Sequence, residues 1–189
     1  MSTTEARCIA AALPRRAGGV LLRRLAATDL AAFQAYRQDP EVGRYQGWTA
    51  TDDTQAAGFL AQMNTAALLQ PGAWSQIGIA DVDSGELVGD IGLLLASDGA
   101  QAEIGFSLAR HAQRRGLGSA AVRAAIALVF QFTDARRIIG VTDARNLPSM
   151  RLLERVGMRQ VESAPAMFRG EPCVELTYAL ARQGRHDSA

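Results

Sequence analysis

Between positions 113 and 118 the chain reads Gln113-Arg114-Arg115-Gly116-Leu117-Gly118. Two glycines and two arginines stand where a strand pattern stops and a long helical pattern begins. A helix N-terminus carries partial positive charge and favours acidic side chains. This one opens on arginines and meets no Asp or Glu before Asp134. Free backbone N–H groups, glycines that permit close approach and guanidinium forks together make a site for phosphate or pyrophosphate. Donors running from Arg115 to Ser119 would converge on that anion. A second constellation, Asn146-Leu147-Pro148-Ser149, opens another helix with Asn as cap and Pro in the first turn. The Asn146 oxygen can cap while its amide nitrogen donates elsewhere. Two carboxylates on neighbouring strands, Glu103 and Asp143, are candidate proton acceptors if burial raises them toward neutrality. Imidazole is a common proton carrier, but His111 sits in the loop before the glycine turn, and His186 lies near the C-terminus. Each feature also has a plainer reading: a tightly packed helix start, a simple cap, a salt-bridged acid.

The elements that would hold these residues follow from periodicity. Residues 1–19 show none and are expected to be a mobile tail. A strand spans 20–25. A helix starts at Thr28-Asp29 and ends near Asp39-Pro40. Positions 41–48 (EVGRYQGW) read as an aromatic loop, and Thr51-Asp52-Asp53 opens a second helix ending near Leu69. Strands at 74–80 and 86–95 flank the turn Asp83-Ser84-Gly85, and a third spans 101–108. The helix after the glycine turn carries the clearest stripe: Leu117, Ala120, Ala121, Ala124, Ala125, Leu128, Val129 and Phe132. A strand at 136–142, a helix from Asn146 to its C-cap Gly157, and a hairpin over 158–168 and 174–180 complete the pattern. Residues 182–189 are a polar tail. The order predicts one mixed α/β domain over 20–181, without the regular alternation of a doubly wound fold.

Composition narrows the function classes. The chain has 189 residues, enough for one domain with a sizeable core. Twenty basic and nineteen acidic residues leave a net charge of +1, so no global field points to nucleic acid. Every basic residue is arginine, which excludes a lysine-based mechanism and a P-loop and suggests a GC-rich bacterial genome. Cys8 and Cys173 are far apart and make neither a disulfide framework nor a metal site; a reducing cytoplasm is expected. No membrane span or signal peptide is legible.

The glycine turn matches the Gln/Arg-x-x-Gly-x-Gly/Ala signature of the GCN5-related N-acetyltransferase (GNAT) superfamily, and the chain resembles that family from about residue 20 to 181. Asn146-Leu147-Pro148-Ser149 followed by Leu152-Leu153-Glu154-Arg155-Val156-Gly157-Met158 is similar to the second signature of the branch that includes ribosomal-protein N-terminal acetyltransferases (RimJ/RimL-type). Leu21-Leu22-Arg23-Arg24-Leu25 and Asp39-Pro40-Glu41-Val42 resemble that branch as well. A dinucleotide-binding reading is weak, because the leading glycine spacing is missing and the preceding strands are hairpin-linked.

The resemblance implies an acyl-CoA N-acyltransferase fold, with a mostly antiparallel sheet splayed at the cofactor cleft and flanked by helices. It implies acetyl-CoA as cosubstrate, moved to a primary amine on a protein N-terminus or small molecule by direct attack. The alternative is a non-catalytic acyl-CoA-binding sensor or subunit. Cofactor-binding residues carried over are Phe106, Ser107 and Leu108 on the strand before the turn, Gln113, Arg114, Arg115, Gly116, Leu117, Gly118 and Ser119 in it, and Asn146 and Ser149 beyond. Glu103 is the favoured general base and Ser149 the candidate acid toward the leaving thiolate. Many relatives carry a tyrosine seven residues after the asparagine; here that position is Leu153. Tyr36, Arg44, Tyr45 and Trp48, with Phe59, are candidate acceptor-lining residues. No metal, nucleic acid or membrane partner is implied, and a homodimer is compatible.

Overall fold

A computed structural model describes residues 12–183. Cys8 and His186 lie outside the described residues. The chain runs β1 (Arg15–Ala17), β2 (Val20–Arg23), α1 (Leu30–Arg37), α2 (Pro40–Gly43), α3 (Asp53–Thr65), β3 (Trp74–Asp81), β4 (Leu87–Leu95), β5 (Gln101–Leu108), α4 (Leu117–Phe132), β6 (Arg137–Asp143), α5 (Leu147–Arg155), β7 (Arg159–Phe168) and β8 (Glu171–Ala181). Among the described residues the strands form one sheet in the order β1-β2-β3-β4-β5-β6-β8-β7. Neighbours are antiparallel except β5 and β6, which are parallel.

That parallel pair is the feature that positions the site. It is bridged only from Gln101↔Arg137 to Glu103↔Ile139. Beyond Glu103, β5 goes on pairing with β4 as far as Leu108↔Gly89, while β6 goes on pairing with β8 as far as Asp143↔Glu175. The two strands therefore part in the middle of the sheet and, among the described residues, leave one edge of each without a strand partner. Glu103 stands at the apex of the split.

Helices cover both faces. On one face Ile91, Leu93, Ala102, Ile104 and Ile138 pack with Leu117, Ala121, Val122, Ala125, Leu128 and Val129 of α4, and Leu153 of α5 joins them. The alanine stripe lets α4 lie close to the sheet, and the side chains it buries stabilise by roughly 1.5–3 kcal/mol each when they are Leu, Ile or Val. On the other face Leu25, Leu87 and Ala109 pack with Phe33, Tyr36, Ala56, Leu60 and Met63 of α1 and α3.

Three sequence expectations shift. Part of the segment read as a tail belongs to the sheet: Arg15–Ala17 pairs with β2 across a turn at Gly18-Gly19, and Ala12 is buried. The short alternation there is too brief to stand out as a strand. The loop at 41–48 begins as a helical turn, α2, because the Asp39 side chain accepts the Glu41 N–H at 3.0 Å and Pro40 opens it. The second helix ends at Thr65, four residues short of Leu69; Leu68 and Leu69 leave the helix to fill the core. No helix among the described residues is long and apolar enough to cross a membrane.

Candidate active site

The split opens into a cleft of ≈ 820 Å³. One wall is the start of α4. Arg114 and Gly116 both take left-handed backbone, with φ of 61° and 82°, so the chain turns sharply before the helix. Gly116 is the cap residue and has no side chain to close the helix end. The first helical bond is Ala120 N–H to Gly116 O at 3.1 Å, which leaves the N–H groups of Leu117, Gly118 and Ser119 without helical partners. With no acid in the first turn, the terminus keeps its positive end unneutralised. Gln113, Arg114, Gly116, Gly118 and Ser119 line the cleft. Arg115 turns away to Asp81 at 3.3 Å, and the Leu117 side chain is buried, so these two offer backbone only.

The two glycines differ in what they do. A Cβ on Gly116 would meet nothing within 4 Å, so glycine there serves the left-handed φ. A Cβ on Gly118 would come within 2.9 Å of Leu152 Cδ1, so that glycine also brings α4 close to α5.

The opening-side edge of β5 forms the floor. Ala109 N–H donates to Val88 O across β4, which turns alternate residues toward β4 and the even-numbered ones toward the opening. Two side chains confirm this alternation. Gln46 Nε2 donates to Phe106 O at 3.1 Å and Gln113 Nε2 to Leu108 O at 2.9 Å. The carbonyls on this edge are thus occupied, and the N–H groups of Phe106 and Leu108 face the cleft as donors. Such an edge suits a ligand that brings carbonyl oxygens.

The start of α5 lies opposite. Asn146 Oδ1 accepts the Ser149 N–H at 3.3 Å, and Pro148 sits in the first turn, so this helix end is capped from within. Asn146, Ser149, Leu152 and Arg155 line the cleft. The Asn146 Nδ2 and Ser149 Oγ remain available. Leu153 is 1% exposed and packs over Gly140 of β6, facing the core.

The remaining wall comes from the segment after α2. Arg44, Tyr45 and Gln46 line the cleft, as Arg145 does from the β6–α5 turn. Trp48 stands just behind: its Nε1–H donates to Ser107 Oγ at 3.3 Å, and its ring lies 4.3 Å from the Arg37 guanidinium. Tyr36, expected to line the acceptor side, is instead 2% exposed, and its hydroxyl donates to the buried Asp90. Burial and the Asp90 charge push the Tyr36 phenol well above its ordinary range. Asp90 also accepts from Arg37 at 2.7 Å and from Gln76 at 2.6 Å. Phe59 stacks on Phe33 in the core, with ring centroids 5.7 Å apart.

The two candidate bases differ sharply. Glu103 makes no ion pair among the described residues; burial and then the neighbouring Glu175 charge raise its carboxyl above the usual range. Strand alternation places it on the same face as Gly105 and Ser107, opposite α4, and a Cβ on Gly105 would meet open space. Asp143 is held by Arg145 through bonds of 2.9 and 2.7 Å, with the Arg145 backbone N–H at 2.8 Å. The Arg145 side chain foremost lowers its carboxyl, which makes it a poor proton acceptor. His111 lies in a turn outside the cleft, beside Asp39 and Glu86.

Gln46, Arg145, Asp90 and Arg37 were missed from sequence. Asp90 had a signal, being the one charge in the apolar run Leu87–Leu95. Gln46 had none, since its partner is a backbone carbonyl sixty residues away.

The family model "Acetyltransferase (GNAT) domain" matches residues 20–159. The N-acetyltransferase p20 of Bacillus licheniformis is 28% identical over 141 residues, covering 74% of this chain and 78% of that one. A GNAT-family acetyltransferase from Bacillus anthracis shares the fold with a TM-score of 0.78 at 23% identity, over 88% of this chain and 96% of its own. The ribosomal-protein α-N-acetyltransferase RimL, solved in complex with coenzyme A, shares it with a TM-score of 0.76 at 16% identity, over 89% and 97%.

Proposed function

The chain belongs to the GNAT acetyltransferase family, and on that premise we propose that it moves an acetyl group from acetyl-CoA to a primary amine, on a protein N-terminus or a small molecule. The observation that carries the reading is the uncapped, acid-free start of α4 beside the free N–H groups of β5. In this reading the Leu117, Gly118 and Ser119 N–H groups hold the pyrophosphate, with Arg114 adding charge. The N–H groups of Phe106 and Leu108 align the pantetheine arm and hold the thioester carbonyl oxygen as it gains negative charge. RimL, a protein of the same fold, binds coenzyme A, which supports the cosubstrate.

The amine enters from the side of Arg44, Tyr45 and Gln46. Glu103 takes a proton from the ammonium, directly or through water, and a carboxyl raised by burial and by Glu175 is the stronger proton acceptor for it. The neutral nitrogen attacks the thioester carbon, the C–N bond forms, the C–S bond breaks, and the nitrogen gives up its extra proton to water as the amide forms. Ser149 Oγ–H lies on the cleft side of α5 to protonate the departing thiolate. The scheme uses direct transfer; among the described residues the free cysteine, Cys173, sits on β8 and does not line the cleft. A cytoplasmic location fits this use of coenzyme A.

One observation favours a second reading, a non-catalytic acyl-CoA-binding module: position 153 presents a leucine to the core instead of a hydroxyl to the cleft. A thiol-release assay over a panel of amines and peptides decides between them. Release with at least one amine is expected. Binding of acetyl-CoA without release for any amine would leave the module.

A further inference from the structure

We infer that Arg169, at the tip of the β7–β8 hairpin, is a positioning residue for the acceptor amine, acting through the segment Arg44–Trp48; this rests on the acetyl-transfer reading above. That segment supplies Arg44, Tyr45 and Gln46 to the cleft wall. Its side chains reach β5 twice, from Gln46 to Phe106 O and from Trp48 to Ser107 Oγ. Its backbone is held from the opposite direction. One nitrogen of Arg169, Nη2, donates to Gln46 O at 3.2 Å and to Trp48 O at 3.0 Å. The segment is thus stretched between the two arms of the split sheet, and Arg169 closes the loop of contacts across it.

The hairpin is shaped for this reach. Arg169 and Gly170 take φ of 51° and 81°, the two positive values of a type I′ turn. Asn or Gly is the usual first residue of such a turn; an arginine there adopts a backbone that L-residues resist. Its guanidinium lies 5.4 Å from the Phe168 ring, which fixes its direction toward the segment. Arg169 lies beyond residues 20–159, the stretch that the family model matches.

The consequence is a division of labour. The donor side is held by α4, α5 and β5, which Arg169 does not touch. The acceptor side depends on where Gln46 and Tyr45 stand, and Arg169 holds the carbonyls of Gln46 and Trp48, at and just beyond that stretch. Removing the guanidinium frees two carbonyls to water and lets the segment drift from β5.

Arg169 is exposed, so its replacement is compatible with folding. The test uses the full chain with Trp74→Phe, which leaves Trp48 as the sole tryptophan fluorophore. Arg169→Ala is expected to raise KM for the amine about tenfold, the scale of one charge-assisted hydrogen bond. KM for acetyl-CoA and kcat should stay within about twofold. Acrylamide quenching of Trp48 should increase, and Arg169→Lys, whose single nitrogen carries three donors, should restore most of both. An unchanged amine KM, or amine and acetyl-CoA KM rising together, overturns the assignment. If the unaltered chain turns over no amine, the acetyl-transfer reading fails, and with it the acceptor role; the quenching then reports on the clasp alone, which unchanged quenching would also refute.

Discussion

Where α4 meets the cleft, the wall is backbone; where the Arg44–Trp48 segment meets it, the wall is side chains held by side chains. The α4 wall offers the N–H groups of Leu117, Gly118 and Ser119, and the adjoining β5 edge offers those of Phe106 and Leu108. Their geometry follows from the helix and the strand, and most side chains could change without moving them. The opposite wall hangs on individual contacts: Gln46 on Phe106 O, Trp48 on Ser107, Trp48 over Arg37, Arg37 on Asp90. One substitution can unfasten it. The first wall can hold a constant ligand, and the second can be retuned for a changing one.

Gly118→Glu should break the backbone wall most completely. It sets a carboxylate where the phosphates are proposed to sit, and acetyl-CoA affinity should fall by ~100-fold or more, as a like charge brought to a desolvated anion site costs several kcal/mol. Gly118→Ala is the control, because its Cβ meets the end of the flexible Leu152 side chain at 2.9 Å and makes ordinary contact with Leu108 Cδ2 at 3.8 Å. Calorimetry on both variants checks this, and equal affinities would remove the phosphate from α4.

On the acceptor side, Glu103→Gln should lower kcat by about 100-fold with acetyl-CoA affinity intact, the usual scale for a lost general base. The pH profile sharpens the assignment. Because Glu103 is raised, activity should climb with pH through a value above the ordinary carboxylate range. Glu175→Gln removes a neighbouring negative charge that raises Glu103, so the acidic limb should move to lower pH. A limb that stays in place would separate Glu103 from the proton transfer.

Ser149→Ala is expected to have the smallest effect, a few-fold in kcat, since thiolate is a tolerable leaving group and proton donation to it is worth less than base catalysis here. Its backbone N–H still receives the Asn146 cap, so α5 should keep its stability, readable as an unchanged Tm. A large loss would make Ser149 more than an acid.

Legibility in the sequence divided along the same line. The strand Gln101–Leu108 and the helix after the glycine turn were readable almost to their ends, because alternation and a sustained stripe are local signals. So was the Asn146 cap. Tyr36 was misassigned to the acceptor side because its helix position was clear but its partner, Asp90, lies on a distant strand. Trp48 lies one layer behind the cleft, and Arg115 and Leu117 turn their side chains away from it. The strand Arg15–Ala17 escaped notice because three residues carry no period.

By itself, the sequence determined the anion turn and the order of the elements around it. Glycine conformational freedom, the absence of acids at a helix start and hydrophobic periodicity are properties of neighbouring residues, and they survive being read along a line. Only the tertiary structure decided that β5 and β6 part after Glu103, that Glu103 has no ion pair among the described residues while Asp143 is bound by Arg145, and that Arg169 reaches back to Gln46 and Trp48. Those outcomes depend on which strand pairs with which and on contacts between residues far apart in the chain. Pairing is settled by the burial of whole faces, and no local pattern records it.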